Sequence, residues 1–516
     1  MQRFRLPNIH NLLKMLCQRV VIVSVLLLLQ LAMVALLVLR GGMTSVWIWV
    51  GMYVLSLGVS LHVISNDTNP AYQIAWLAAA MFLPLVGSLL YIILGGNRLS
   101  HRLRRKMGSM QQTLTENLSQ DAEMYTWLEH KEPDAALQSS YLTHVAGCPG
   151  YTNTETEYFH LGDACFPRMC EEIRKAKRYI FVEYFIIEQG YLWSTILDLL
   201  EQKIAEGVDV RLIYDDFGCI TRLPYHYRQM LEQRGIQCEV FNPFIPVLSS
   251  RLNNRDHRKF LIIDGVVAFT GGMNLADEYI NIDARFGHWK DAAVLVRGDA
   301  AWSMTVMFLS MWEYQRGRRE RVEDYRPEPV EVVSQGFIQP YTDNPLDGEP
   351  VGETVYLNLI NRAKRSVRIM TPYLIIDSAM STALTTAAKA GVEVTIITPH
   401  IPDKWYVHAL TRAHYARLVA AGVRVYEYTP GFIHSKVFCV DGIYATVGTV
   451  NLDFRSLYLH FEDGVWMYKA GCIADIDRDF DETLPRCQAI RLEDCTNLPW
   501  YRRLMQAVLR LLAPLM

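Results

Sequence analysis

The sequence predicts an α/β protein of two related lobes set behind a hydrophobic amino-terminal block, and three observations carry that expectation. A stretch reading helix end, strand, helix, strand occurs twice, from Ile173 to Asp216 and again from Ile360 to Pro399. Each copy runs on into one spaced pattern, His-x-Lys-x4-Asp, at His257/Lys259/Asp264 and at His434/Lys436/Asp441. Ahead of both copies lie three long uncharged segments.

The hydrophobic block comes first in the chain. Val20 to Leu39 carries no charge and has about the ~20 residues that a helix needs to cross a bilayer. Its apolar run is longer than the core of a cleaved signal peptide. Two further segments, 46–64 and 74–94, hold Trp47, Trp49, Trp76 and Tyr91 near their ends and are joined by the polar turn Asn66 to Pro70, which suggests a helical hairpin. Basic residues flank the block on both sides, Arg3, Arg5, Lys14 and Arg19 before it and Arg98, Arg102, Arg104, Arg105 and Lys106 after it. Three full spans cannot keep both clusters on one side, and Pro84 with Gly87 suits a broken third helix. The expectation is a multi-pass protein of the cell membrane with its large carboxy-terminal part in the cytoplasm. The boundaries that follow are a membrane block over 1–106 (segments 20–39, 46–64 and 74–94), a polar connecting segment over 107–150, lobes over 151–335 and 336–498, and an amphipathic helix over 499–516.

A chain of 516 residues, 51% hydrophobic, has ample material for large cores, which excludes disorder. With 51 Lys and Arg against 54 Asp and Glu, the net charge of −3 offers no basic field for nucleic acid. Ten cysteines without a C-x-x-C pair read as free thiols of a reducing compartment, not as disulfides or a zinc site.

Within each lobe the β-branched runs Val208 to Tyr214 and Val392 to Thr398 follow helices that stop at Gly207 and Gly391, so they read as buried strands of βαβ units and a largely parallel sheet. Each motif then forms a hairpin. His257 to Asn274 and His434 to Asn451 are two apolar runs around an Asp-Gly turn, whose central residues both require positive φ. His and Lys, two residues apart on the first run, face one side, and Asn274 and Asn451 end the return run close to them.

If the two lobes meet at their hairpins, two imidazoles, two ammonium groups and two amides share one pocket. Lys259, Lys436, Asn274 and Asn451 would cradle a tetrahedral anion, and one imidazole would attack phosphorus while the other protonates the leaving oxygen. No metal or other cofactor is required. Asp264 and Asp441 either fix imidazole tautomers or merely supply the turn geometry.

The paired pattern H-x-K-x4-D-x6-G-x2-N, which includes Gly271 and Gly448, resembles that of the phospholipase D superfamily. Phe82 to Tyr91, Glu183-Tyr184, Asn254 to Lys259, Trp289-Lys-Asp291, Thr371-Pro-Tyr373 and Leu511 to Leu515 extend the likeness to its bacterial cardiolipin synthases. That resemblance implies a bilobal phospholipase D-like fold and transfer through a phosphohistidine, with His257 as nucleophile and His434 as acid and base. It also implies phosphatidylglycerol and cardiolipin as membrane partners, and self-association into a homo-oligomer is left open. The motif alone admits other acceptors, hence a phospholipase or a phosphatidylserine synthase. A membrane-tethered nuclease or a non-catalytic scaffold are readings of another class.

Overall fold

The computed structural model describes residues 24, 27–35, 39, 43–66, 68–95, 101–244 and 253–515. The chain divides into two compact units, one of residues 1–99, 244–254 and 503–516, the other of residues 100–243 and 255–502.

In the smaller unit a helix runs over Met43–Ser65 and is followed by helices over Pro70–Phe82 and Pro84–Leu90 and a π turn over Tyr91–Gly95. Asn69 caps the second helix by accepting the Ala71 amide, with Pro70 in its first turn. Leu83 and Pro84 end that helix and start the next, so the segment expected over 74–94 is indeed broken. Gly87 lets the two helices touch: a Cβ there would lie 2.0 Å from the Ala79 carbonyl oxygen. Val59, Val63, Ala80 and Tyr91 form a small core, and the Ser56 hydroxyl donates to the Ala80 carbonyl at 2.8 Å. Among the described residues one helix, Val46–Ser65, is long and apolar enough to cross a membrane. The segment expected over 20–39 lies largely outside the described residues. The turn Ala513–Leu515 packs on the helix Pro70–Phe82.

The larger unit holds two mixed sheets. Its first lobe supplies β1 (Thr154–Phe159), β2 (Tyr179–Tyr184), β3 (Asp209–Asp215), β4 (Gln237–Phe241), β5 (Arg255–Asp256), β6 (Phe260–Ile263), β7 (Val267–Gly271), β8 (His288–Lys290) and β9 (Ala293–Gly298). The second supplies β10 (Phe337–Asp343), β11 (Ser366–Met370), β12 (Glu393–Pro399), β13 (Arg424–Tyr428), β14 (Gly431–Ile433), β15 (Val437–Val440), β16 (Tyr444–Gly448), β17 (His460–Tyr468) and β18 (Cys487–Ala489). The sheet orders are β1-β9-β7-β6-β2-β3-β4 and β10-β17-β16-β15-β11-β12-β13-β18. The duplication is thus visible strand for strand.

The longer parallel pairings are β2-β3-β4 and β11-β12-β13, and two short ones join β5 to β17 and β14 to β8. The sheets are therefore mixed and not largely parallel. The Asp-Gly hairpins β6-β7 and β15-β16 impose antiparallel order, and the return strands β9 and β17 continue it. Both turns have positive φ at both central residues, 54° and 71° at Asp264-Gly265, 56° and 69° at Asp441-Gly442, the mirror-image turn that suits the twist of a hairpin. The helix Ala300–Arg316, buried along nearly its whole length, packs on β2, β4, β6, β7 and β9 and also on β10.

The stretch over 107–150 is no mere connector. Helices over His101–Asn117, Ala122–Lys131 and Pro133–His144 sink Met110, Leu114, Leu118, Leu128 and Leu142 into the main core. The division at residue 106 falls inside the first of them. Polar average composition hides an apolar stripe at helical spacing. The carboxy-terminal helix Trp500–Leu512 keeps Trp500, Leu504, Val508 and Leu512 exposed. All described cysteines are free.

Candidate active site

Each motif follows directly on a short strand that pairs with a strand of the other lobe. β5 pairs in parallel with β17, Arg255 opposite His460 and Asp256 opposite Phe461. β14 pairs in parallel with β8, Phe432 opposite Trp289 and Ile433 opposite Lys290. The next residue in each case is the motif histidine. Its amide stays in the ladder, His257 N donating to the Phe461 carbonyl at 2.9 Å and His434 N to the Lys290 carbonyl at 2.7 Å. Buried ion pairs fix the first crossing: Arg255 with Asp215 at 2.9 Å, and Arg258 with Glu183 and Asp256.

That register carries a carboxylate of the opposite lobe to each imidazole. His257 Nδ1 lies 2.8 Å from Glu462 Oε2, and His434 Nδ1 lies 2.7 Å from Asp291 Oδ2. Asp291 and Glu462 are equivalent residues, because each follows the carbonyl that receives the histidine amide. The histidines, 6% and 7% exposed, are nearly sealed. Behind them Lys259 Nζ donates to the His257 carbonyl at 2.6 Å and Lys436 Nζ to the His434 carbonyl at 2.5 Å. Lys436 Nζ also lies 2.9 and 3.0 Å from the two ring nitrogens of His434. The charges interlock: Lys259 acts on His434, Lys436 and Asp291 as well as on its own lobe.

Electrostatics divide the two pairs. Burial, only partly opposed by Glu462, pushes His257 down to about 3 and so keeps it neutral. Burial alone would raise Glu462, but His257 and His460 hold it below the ordinary carboxylate range. A neutral imidazole giving its Nδ1 proton to a carboxylate leaves the Nε2 lone pair for the pocket. In the other pair, burial and then Lys436 and Lys259 push His434 down, and burial pushes Asp291 up to about 7. A proton is therefore exchangeable there near neutrality. Burial also lowers Lys259 to about 8 and Lys436 to about 7.

The amides differ too. Asn274 is engaged by the protein: its Oδ1 accepts from the Ile186 amide at 3.0 Å and its Nδ2 donates to the Tyr279 hydroxyl at 2.7 Å. Asn451 Oδ1 is buried with no partner among the described residues. Because the orientation of an amide is an assignment, the end that faces this gap can equally be its NH2.

Asp264 and Asp441 stand elsewhere. The Asp264 carboxylate accepts the amides of Lys177, Arg178 and Tyr179, and that of Asp441 accepts those of Lys364, Arg365 and Ser366. Neither motif aspartate contacts an imidazole; the carboxylates at the two Nδ1 atoms are those of Glu462 and Asp291. Each motif aspartate sits at the hairpin turn, one strand length from its histidine, and ties the turn to the start of β2 or β11. Glu462, Asp463 and His460 drew no notice in the sequence, and Asp291 only through the resemblance. Their signal was positional, a carboxylate within or just before the return strand that follows each motif asparagine.

Residues 169–300 and 356–484 match the family described as "Cardiolipin synthase, PLD-like domain", and residues 54–96 match "Phospholipase_D-nuclease N-terminal". A cardiolipin synthase of Geobacillus kaustophilus is 33% identical over 481 residues, 92% of this chain and 94% of that protein. A Streptococcus mutans protein described as uncharacterized is 41% identical over 460 residues, 89% of this chain and 100% of that protein. Among solved structures, phosphatidylserine synthase of Haemophilus influenzae Rd KW20 shares the fold with a TM-score of 0.57 over 74% of this chain and 98% of that one, at 16% identity. With the two-lobe fold and both motifs at one centre, these matches show that the chain belongs to the cardiolipin synthase family of phospholipase D-like proteins.

Proposed function

We propose that the protein transfers a phosphatidyl group from one phosphatidylglycerol to another, giving cardiolipin and glycerol, at the single centre formed by His257, Lys259, Asn274, His434, Lys436 and Asn451. The observation that carries this reading is the pair of buried histidines, each backed by a carboxylate of the opposite lobe and by a lysine.

His257 Nε2 attacks phosphorus, the bond to the glycerol headgroup oxygen breaks, and His434 gives that oxygen its proton. The resulting phosphohistidine is positively stabilised by ionised Glu462 at Nδ1. A hydroxyl of the second phosphatidylglycerol then yields its proton to His434 and attacks phosphorus, and the bond to His257 breaks. The permanently charged Glu462 favours His257 as the nucleophile, and the shareable proton between His434 and Asp291 favours His434 as acid and base. Lys259, Lys436 and Asn451 neutralise the phosphoryl oxygens. This chemistry calls for no metal or activated nucleotide. The apolar helix Val46–Ser65 and the exposed apolar face of the helix Trp500–Leu512 support attachment to a membrane; several passes and a catalytic unit on the cytoplasmic side are read from the uncharged segments 20–39 and 74–94, the free cysteines and the basic run Arg98 to Lys106.

Incubation of the purified protein in detergent with phosphatidylglycerol and a chelator, without nucleotide, tests the reading. Cardiolipin and glycerol in equal amounts are expected; phosphatidic acid alone, or dependence on a CDP-activated lipid, overturns it.

A further inference from the structure

One group beside His257 takes no direct step in the chemistry above, although it helps to hold Glu462 ionised. His460 stands on β17 two residues before Glu462, its ring 5.6 Å from that of His257, with a side chain only 10% exposed. Neither of its ring nitrogens has a hydrogen-bond partner among the described residues. Glu462 Oε1, the oxygen not bonded to His257, is likewise buried and unpartnered, and it lies 3.6 Å from His460 Nδ1. A buried polar atom without a partner costs about 1–3 kcal/mol; His460 Nδ1 and Glu462 Oε1 face each other as a loose ion pair, which leaves His460 Nε2 as the atom whose partner is missing.

One ligand atom from each of His257, His460 and Glu462 lies within 4.8 Å of the other two. Two imidazoles and a carboxylate are a ligand set of zinc-class ions, and a tetrahedral ion about 2.0–2.2 Å from each would hold the three about 3.3–3.6 Å apart. The Lys259 ammonium on the His257 carbonyl opposes a cation here, and the Asp463 carboxylate, which accepts the Lys259 amide at 3.2 Å and is pushed up to about 7 by burial, offsets it only in part.

The second half of the centre is an internal control. By strand register Trp289 occupies the place of His460, facing Phe432 as His460 faces Arg255, and its ring lies 5.4 Å from that of His434. Indole is no metal ligand, so His434 and Asp291 offer two ligands where His257, Glu462 and His460 offer three.

We propose that His257, His460 and Glu462 bind one divalent ion of the zinc class, and that this ion switches the centre off by displacing the proton His257 shares with Glu462. The ion occupies the carboxylate and one nitrogen of His257, so the imidazole loses either its attacking lone pair or the negative charge behind it. The binding step does not depend on the lipid chemistry proposed above.

The test uses the full chain in detergent, stripped with a chelator and then titrated with Co2+ and with Zn2+. One equivalent of Co2+ with the visible absorption of a tetrahedral site is expected, and Zn2+ should displace it. His460→Asn and His460→Trp, the second reproducing Trp289, should each weaken binding at least as much as the ~10–100-fold that follows loss of a partner outside the ligand set. Circular dichroism identifies which variant keeps the native fold. The ratio of turnover with and without Zn2+, low in the native chain, should return towards one in that variant. No saturable Co2+ absorption, or binding unchanged in a folded variant, overturns the site. Stoichiometric binding with undiminished turnover overturns the switch.

Discussion

The two halves of the centre share a backbone frame yet surround their histidines differently. His257 meets Glu462, His460 and Phe185, whereas His434 meets Asp291 inside an aromatic wall of Trp289, Tyr279 and Phe432. Strand register makes the acids equivalent, but their ionisation is not: Glu462 is held ionised while Asp291 is pushed up to about 7. Duplication thus supplied two copies of one geometry, and it is the neighbouring side chains that favour the proposed division between His257 as nucleophile and His434 as proton carrier.

The largest effect should come from removing either histidine. His257→Ala and His434→Ala are each expected to cost at least ~10,000-fold in turnover, since residues that act as one unit fail together. Capture of labelled lipid on the protein, denatured at neutral to mildly alkaline pH because acid cleaves the P–N bond, separates them: the His257 variant should form no phosphohistidine at all. Substantial turnover in either variant breaks the shared centre. The acids come next. Glu462→Gln keeps shape and removes charge, with an expected loss of about 1,000–10,000-fold, as for other carboxylates that orient a catalytic imidazole. Asp291→Asn, which replaces a group already half protonated near neutrality, should lose at least about 10-fold less. Equal losses, measured as kcat/KM at pH 7, would remove the electrostatic distinction between the halves.

A pH profile sharpens the same point. Lys436 and Lys259 must be charged to hold phosphate, and burial lowers them to about 7 and about 8. The ammonium form is lost as pH rises through those values, so kcat/KM should fall between about pH 7 and 8 on the alkaline side. His257, pushed down to about 3, is already neutral well below that window and should add no acidic limb above about pH 5. A profile flat to pH 9 contradicts this. The amides differ more modestly. Asn451→Ala should cost about 100-fold in kcat, the scale of one donor lost from an anion hole. Asn274→Ala should chiefly destabilise, by about 1–3 kcal/mol, because it strands the buried Ile186 amide.

What could be read from the chain was local. The repeat, the strands after Gly207 and Gly391, and both Asp-Gly turns follow from short-range rules of period, helix ending and positive φ, and the sheets bear them out. The partners of the histidines were hidden because they arise across lobes. Asp291 and Glu462 differ in residue type and lie at unequal distances beyond Asn274 and Asn451, so only the pairing of β5 with β17 and β14 with β8 makes them correspond. The helices from His101 to His144 escaped for another reason: Met110, Leu114 and Leu118 form an apolar stripe that the polar residues between them mask. The mixed sheet was likewise concealed, since β9 and β17 return to the hairpins after long excursions.

The smallest effect on catalysis should come from the motif aspartates, and here the lobes differ again. Each carboxylate binds three backbone amides, but Asp441 is buried whereas Asp264 is half-buried. Alanine at either position removes those acceptors and forces a residue with a poor left-handed preference into φ near +55°. Asp441→Ala should cost about 2–3 kcal/mol, because its amides lose water along with their partner, and Asp264→Ala about 1–2 kcal/mol. Asparagine, which tolerates positive φ, should recover part of each loss. Thermal unfolding should show that order while turnover per folded molecule stays near native, since neither carboxylate touches an imidazole. If Asp441→Asn abolishes turnover without lowering the unfolding temperature, the motif aspartate acts in the chemistry after all, and the assignment of that role to Glu462 and Asp291 fails.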